Sequence, residues 1–305
     1  MKFASARYAM SADDSSSMSS EPVGDLESGP EAAPDAMEAS EITELLNIVY
    51  ESCGVDFRDY AYASLLRRIR RRMSEEGVDD IRALRRLAGS DDACMQRLLN
   101  SLTLPVTSMF RDPSFFKLFR ERICPVLATY PYLRIWVAGC STGQEAYSLA
   151  ILLSEAGLYE RSRIYATDLH AGAVQQAEAG IYQLSAMQEY SRQYQEAGGT
   201  RSFSEYFVAD DEYAALNPEL RRNMVFATHN LVSDSSFNEF HVIFCRNVMI
   251  YFNDKLQQRV HGLLYASLGM FGFLGLGRSE SIRFSYHEGA YETVSKAERM
   301  YRKVK

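Results

Sequence analysis

The sequence predicts an α/β protein: a Rossmann-like parallel sheet carrying a small inserted antiparallel β-subdomain, preceded by a small all-α domain. Three observations predict it. From about residue 133 onward, apolar stretches of strand length alternate with helical patterns, the rhythm of βαβ units. Residues 183–222 interrupt that rhythm with polar sequence. Residues 39–104 show helical periodicity alone.

Composition sets outer bounds. A chain of 305 residues, 47% apolar and 24% charged, can hold one large domain or two modest ones. The net charge of -7 argues against wholesale nucleic-acid binding. Five unpaired-looking cysteines, with no CxxC, read as small buried thiols in a reduced, cytoplasmic setting. The five histidines are scattered, so no metal site is expected. No signal-peptide core is visible. The longest uncharged apolar stretch, Leu263–Gly277, is too short and glycine-rich for a membrane span.

The elements follow in order. Residues 1–38 are rich in Ser, Ala, Pro, Asp and Glu and cannot bury enough surface to offset ordering. They are expected to be a disordered acidic tail, either a solubilising linker or a docking segment. In "EITELLNIVYESCGV", Ile42, Leu45, Leu46 and Val49 share a helix face. In "ASLLRRIRRRMSEEG", Leu65, Leu66, Ile69 and Met73 form an apolar arc. Arg67, Arg68, Arg70, Arg71 and Arg72 are expected to fill the rest of the circumference, and Gly77 to stop the helix. Two further helices, near 79–88 and 91–102, complete a bundle.

Residues 105–305 open with "TSMFRDPSFFKLF", where Asp112 is expected to cap a helix that has Pro113 at its first position. "YLRIWVAG" is a buried strand, "STGQEAYSLAILLSEAG" a helix, "SRIYATDLH" a second strand and "AGAVQQAEAGIY" a second helix. The inserted stretch 183–222 is expected to contain short strands around a turn in "YFVADDEYAALNPEL". "NMVFATHNL" and "FHVIFCRNVMIYF" resume the sheet, "DKLQQRVHGLLYASL" is a helix, and "FGFLGLG" and "ERMYRKV" are candidate last strands.

The turn "AGCSTGQE" carries the first functional signal. A strand, a glycine turn and a helix start form a site for a nucleotide-like ligand, because small residues admit the ligand to unpaired N–H groups. The glycines, Gly139 and Gly143, are spaced GxxxG rather than GxGxxG, and no lysine follows, which argues against a dinucleotide fingerprint and a P-loop. Asp168 ends the second strand, where an acid accepts both hydroxyls of a ribose. Adenosine without a pyrophosphate fits, and S-adenosylmethionine is such a ligand. Spacing leaves a second reading of Asp168 open, as N-cap of the helix in "DLHAGAV".

Six ordered motifs go further: "TSMFRDP", "RIWVAGCSTGQEAYSLA", "YATDLHAGAVQQAEAGIY", "VFATHNL", "FHVIFCRNVMIYF" and "GFLGLGRSES". With them the chain resembles the CheR family, S-adenosylmethionine-dependent methyltransferases of bacterial chemoreceptors, over residues 40–305. The resemblance implies that S-adenosyl-L-methionine is bound and S-adenosyl-L-homocysteine released. It places Thr107, Arg111, Gly139, Glu145, Asp168, Asn230, Leu231, Arg246 and Asn247 near the cofactor, with Asp168 on the ribose and Asn230 and Leu231 at the adenine. It assigns Tyr251 and Arg111 to the substrate carboxylate and transfer. On spacing alone Tyr251 would be a core aromatic and Glu145 an ordinary first-turn acid. The chain departs from the usual motifs at Pro105, at Gln144 and Ala146, at Met270-Phe271 and at Arg278.

The implied activity is protein-glutamate O-methylation in chemosensory adaptation. A glutamate is ionised at neutral pH, so the reaction needs alignment rather than a general base. The competing readings are a module that binds S-adenosylmethionine with weak or no transfer, and a methyltransferase for another substrate. The five arginines suit an acidic partner, the glutamate-rich helices of chemoreceptors, or are a solvated face. Some family members capture a receptor's terminal pentapeptide on a glycine-containing loop. The matching turn here, Val208–Leu216, has no glycine and clusters Asp210, Asp211 and Glu212, so pentapeptide independence is expected. A monomer is expected, with no nucleic-acid partner.

Overall fold

The computed structural model describes residues 36–53, 55–103 and 107–305. The expected disordered tail lies outside the described residues except for its last three positions. Those open the first helix, α1 (Ala36–Cys53), which therefore starts earlier than the apolar periodicity indicates. Pro105 also lies outside the described residues.

Four helices form the N-terminal bundle: α1, α2 (Tyr62–Glu76), α3 (Ile81–Ser90) and α4 (Asp92–Thr103). Gly77 ends α2 in the left-handed conformation, φ 66°, with its N–H returning to Met73 and Ser74. Asp80 caps α3 by accepting the Ala83 N–H. Ile42, Leu45, Val49, Leu65, Ile69, Leu84 and Leu98 make the bundle core.

The chain then enters α5 (Pro113–Leu118), which continues through a π-helical turn, Phe119–Ile123, into α6 (Cys124–Leu127). Asp112 does not cap it. The residue sits at φ 58° and makes no cap hydrogen bond, because its carboxylate is taken by Arg246. The parallel units follow: β1 (Leu133–Ala138), α7 (Gln144–Glu155), β2 (Ser162–Asp168) and α8 (Ala171–Ala179). α8 stops at Ala179, short of the expected Ile181 and Tyr182, because Gly180 turns left-handed; those two residues instead open the insertion, which comprises β3 (Ile181–Gln183), α9 (Met187–Glu196), β4 (Phe207–Ala209) and β5 (Tyr213–Leu216). The sheet resumes with β6 (Met224–Thr228) and β7 (Phe240–Cys245), and α10 (Asp254–Ser267) leads directly into β8 (Leu268–Leu276). Finally come β9 (Tyr291–Ser295) and β10 (Met300–Lys303).

The main sheet has the order β6-β2-β1-β7-β8-β10-β9. Its first five strands are parallel. β10 pairs antiparallel with β8 and with β9, so the sheet is mixed. The insertion forms a separate antiparallel sheet, β3-β5-β4. Chain order reverses between β1 and β7, and a crevice opens beyond the carboxyl ends of those strands. Apolar layers cover both faces, one around Phe116, Phe244 and Leu149, the other around Trp136, Val260 and Leu274. Among the described residues no helix is long and apolar enough to cross a membrane.

Candidate functional site

The crevice at the strand reversal deepens into a cavity of about 980 Å³, its mouth included. Its floor is the turn after β1. Gly139 adopts φ 78°, and a Cβ there would run into the Val248 side chain. Gly143 adopts φ 96°, with a would-be Cβ 2.8 Å from that of Ala177. Glycine is therefore required at both positions by conformation and by space. The N–H groups of Gly139 and Cys140 donate to the Thr167 carbonyl at 2.8 and 2.9 Å, pinning the turn to the end of β2.

Asp168 stands at that strand end as expected, but it is not a helix cap. His170 takes that position, its Nδ1 accepting the Ala173 N–H at 2.9 Å. The Asp168 carboxylate instead accepts the Ser141 N–H at 2.8 Å and the His170 N–H at 2.9 Å. These bonds use one lone pair per oxygen and leave acceptor capacity toward the cavity. Beyond it, Asn230 and Leu231 line the wall, the Asn230 N–H donating to Asp234 at 2.8 Å. That bond holds the Asp234 carboxyl below its ordinary range.

Glu145, in the first turn of α7, accepts from Arg246 Nη1 at 2.5 Å. Arg246 also donates to Asp112 at 2.6 Å and to the Arg111 carbonyl at 3.0 Å, and stacks 4.1 Å from the Phe115 ring centre. Its side chain is 1% exposed, so it holds Glu145 and the Arg111 turn in place more than it faces a ligand. Burial pushes the Glu145 carboxyl up, against the opposing pull of Arg246 and Arg111.

After β7 the loop carrying Asn247 turns through φ 60°. A buried acid makes that turn: Glu280 accepts N–H groups from Asn247, Val248, Met249 and Gly277 at 2.6–2.9 Å. Nothing in the periodicity singles out Glu280; its cue was its place in the motif "GFLGLGRSES", just past an apolar strand.

Tyr251 sits on the short helical turn Met249–Tyr251, at the cavity wall rather than in the core. Over its ring, 4.2 Å from the centre, lies the guanidinium of Arg68 from α2. Arg68 is the principal departure from the sequence reading of the arginine helix. It is buried, 4% exposed, three residues after Leu65 and therefore on the inward arc. It donates to the Leu102 carbonyl, and its Nε and Nη2 have no partner. Arg71 and Arg72 pair with Glu75, and Arg70 with Glu38, so only part of the expected face is open.

Tyr60, Leu102 and Thr103 join Arg68 as a roof supplied by the helical bundle. Two contacts fix it in place: the Ala61 N–H to Tyr251 O bond at 2.9 Å, and a 2.5 Å contact between His170 Nε2 and Asn100. Thr107 and Arg111 close the remaining side. All ten residues singled out from the sequence thus line one cavity. Cys140 and Cys245 are buried beside it, and burial raises both thiols well above their ordinary range, which suits packing rather than nucleophilic attack. Among the described residues no group of His, Cys, Asp or Glu could hold a metal ion.

Comparison with known proteins shows the family. Residues 40–103 match the model "CheR methyltransferase, all-alpha domain", and residues 105–300 match "CheR methyltransferase, SAM binding domain". The chain belongs to the CheR methyltransferase family. It is 43% identical over 263 residues to the putative methyltransferase Cher3 of Pseudomonas putida, spanning 86% of this chain and 96% of that one. It is 30% identical to the chemotaxis protein methyltransferase of Salmonella typhimurium, over 81% of this chain and 85% of that protein. Among solved structures, the N-methyltransferase NodS from Bradyrhizobium japonicum, in complex with S-adenosyl-L-homocysteine, covers 73% of this chain and 98% of its own, with 14% identity and a TM-score of 0.37.

The cofactor of this CheR-type methyltransferase is S-adenosylmethionine, and the cavity fits it. A glycine turn with Gly139 at the cavity floor and a carboxylate at the β2 terminus are what an adenosine needs.

Proposed function

We propose that this CheR methyltransferase forms methyl esters on glutamate side chains of chemoreceptor helices. Asp168 takes the ribose hydroxyls, Asn230 and Leu231 flank the adenine, and Glu145, held by Arg246, takes the ammonium of the methionine moiety. Thr107 and Arg111 close over that moiety, and Asn247 borders it. S-adenosylmethionine, when bound, supplies an electrophilic methyl group. The protein's part is to place a carboxylate oxygen in line with it and to exclude water.

The observation that carries this reading is the acceptor end of the cavity. There Tyr251 lies beneath the buried Arg68, whose guanidinium has no carboxylate partner among the described residues. A cation and a phenol suit an acceptor that arrives ionised and keeps its charge until attack. Deprotonating an amine or alcohol would call for a different set of groups.

The acidic partner is expected to approach along the α2–α4 groove, where Arg67 is exposed and Arg68 forms the shared wall with the cavity. Docking is proposed to be independent of a terminal pentapeptide. The β4–β5 turn carries Asp210, Asp211 and Glu212, and Asp210 already folds back on the N–H groups of Glu212 and Tyr213. The chemotaxis relatives suit action in the cytoplasm, on the inner part of the receptors. The test is transfer of labelled methyl to receptor membranes, followed by alkali. Ester label leaves as methanol. Alkali-stable label would reject the glutamate reading.

A further inference from the structure

The α2–α4 groove and the N-terminal sequence carry opposite charges. The groove is lined by Arg67, Arg71, Arg72, Asn100 and Ser101, with Glu75 at its edge. Glu75 and Glu76 occupy Arg71 and Arg72. Arg67 is exposed and makes no hydrogen bond or ion pair among the described residues. The first turn of α1 lies beside this surface: Glu38 is paired with Arg70 of α2 at 2.7 Å.

Upstream of that pair, the stretch from Asp13 to Asp35 contains seven acids and no lysine or arginine. An extended chain spans about 3.4 Å per residue, so this stretch exceeds the roughly 22 Å of the 15-residue α2 several times over. Its tether ends one helix turn from the groove, which sets a local concentration on the order of 1 mM.

We infer that residues 13–35 of this chain occupy the arginine groove between α2 and α4 and compete there with any acidic partner. The contact is electrostatic and reversible, and extends the Glu38–Arg70 pair toward Arg67. It makes the apparent affinity of the groove for an acidic helix depend on ionic strength and on the charge of the tail. The inference does not require the proposed receptor substrate, since the competition concerns the groove alone.

The test uses the full chain and a full-length variant in which the seven acids are changed to Asn or Gln. Binding of a labelled hexaglutamate peptide is read by fluorescence anisotropy at about 50 mM and about 500 mM salt, on either side of effective screening. At low salt the neutralised chain should bind about tenfold more tightly, as an effective concentration of order 1 mM against an intrinsic Kd of order 0.1 mM requires. At high salt the two should converge. Equal affinity at low salt would overturn the inference. A difference that grows with protein concentration would overturn it too, because a second copy would then be the occupant. A second measurement compares amide resonances of residues 13–35 in the full chain and in Arg67→Glu/Arg71→Glu. The two sets should differ at low salt and coincide at high salt. Identical low-salt spectra would place the tail elsewhere.

Discussion

Replacing Arg68 with Met should separate function from folding in opposite directions. In the cavity a carboxylate about 4 Å from the guanidinium would gain about 4 kcal/mol at an effective dielectric of 20. The net value of a hydrogen bond to a charged acceptor is smaller, about 1.5–3 kcal/mol. The expected loss in kcat/KM is therefore about 10- to 150-fold. Stability should move the other way. Arg68 is buried without a carboxylate partner, and its Nε and Nη2 are unsatisfied. Each such donor costs about 1–3 kcal/mol, against about 1 kcal/mol each for the Leu102 bond and the Tyr251 stack that Met gives up. The variant should melt at the wild-type temperature or a few degrees above it. Methyl transfer to receptor membranes, calorimetry with S-adenosylhomocysteine and a thermal melt read the three quantities. Cofactor affinity should stay within about twofold, since Asp168, Glu145 and Asn230 are untouched. Activity, affinity and melting temperature falling together would show that Arg68 is a structural residue and refute the argument.

Asp168→Ala should weaken S-adenosylhomocysteine binding about tenfold or more in calorimetry, because it removes the ribose acceptor and the anchor of Ser141. Tyr251→Phe should keep the fold and cofactor affinity while lowering turnover; an equal loss of thermal stability would mark a core aromatic instead. Asp234 has a depressed folded pKa, so the stability it contributes is complete above the ordinary carboxylate range and is lost as pH falls through the depressed value. Asp234→Asn should flatten that acid limb in pH-dependent melts. Glu280→Gln should cost about 2–4 kcal/mol, because an amide cannot accept all four N–H groups that meet the carboxylate, and cofactor affinity should fall with it.

The legible parts of the sequence were those in which burial writes a period. β1 and β7 are nearly continuous apolar runs because both faces of a parallel sheet are covered. The glycine turn was legible because Gly139 and Gly143 have no room for a side chain. α9 was missed because its buried face is Met187, Tyr190 and Tyr194 in an otherwise polar segment. β9 was missed because an edge strand with exposed Glu292 and Thr293 carries no alternation. Arg68 was read as part of a solvated face because a charge count is blind to what docks on a helix. Its position three residues after Leu65 held the correction, but only the roof formed over Tyr251 gives that position meaning.

The same geometry accounts for the motif departures that fall on described residues. Gln144, where the family commonly has Glu, does not face the cavity. It is buried, accepts from Thr142 at 2.7 Å and donates to Tyr190 of α9 at 3.3 Å, so it joins the glycine turn to the insertion. A neutral side chain is the less costly choice there, since a buried carboxylate against a tyrosine and a threonine would have no cation. Arg278, where a His is usual, reaches Asp112 at 3.6 Å, Ser114 at 2.6 Å and Glu298 at 3.3 Å. It shares Asp112 with Arg246, which in turn holds Glu145. Asp112 thus stands between two guanidiniums. Met270 and Phe271 are exposed at the start of β8, with Phe271 beneath Arg302, far along the strand from the Gly277 end that meets Asn247. Gln144, Arg278, Met270 and Phe271 are thus each met by neighbours outside the cavity, and none of the four lines it.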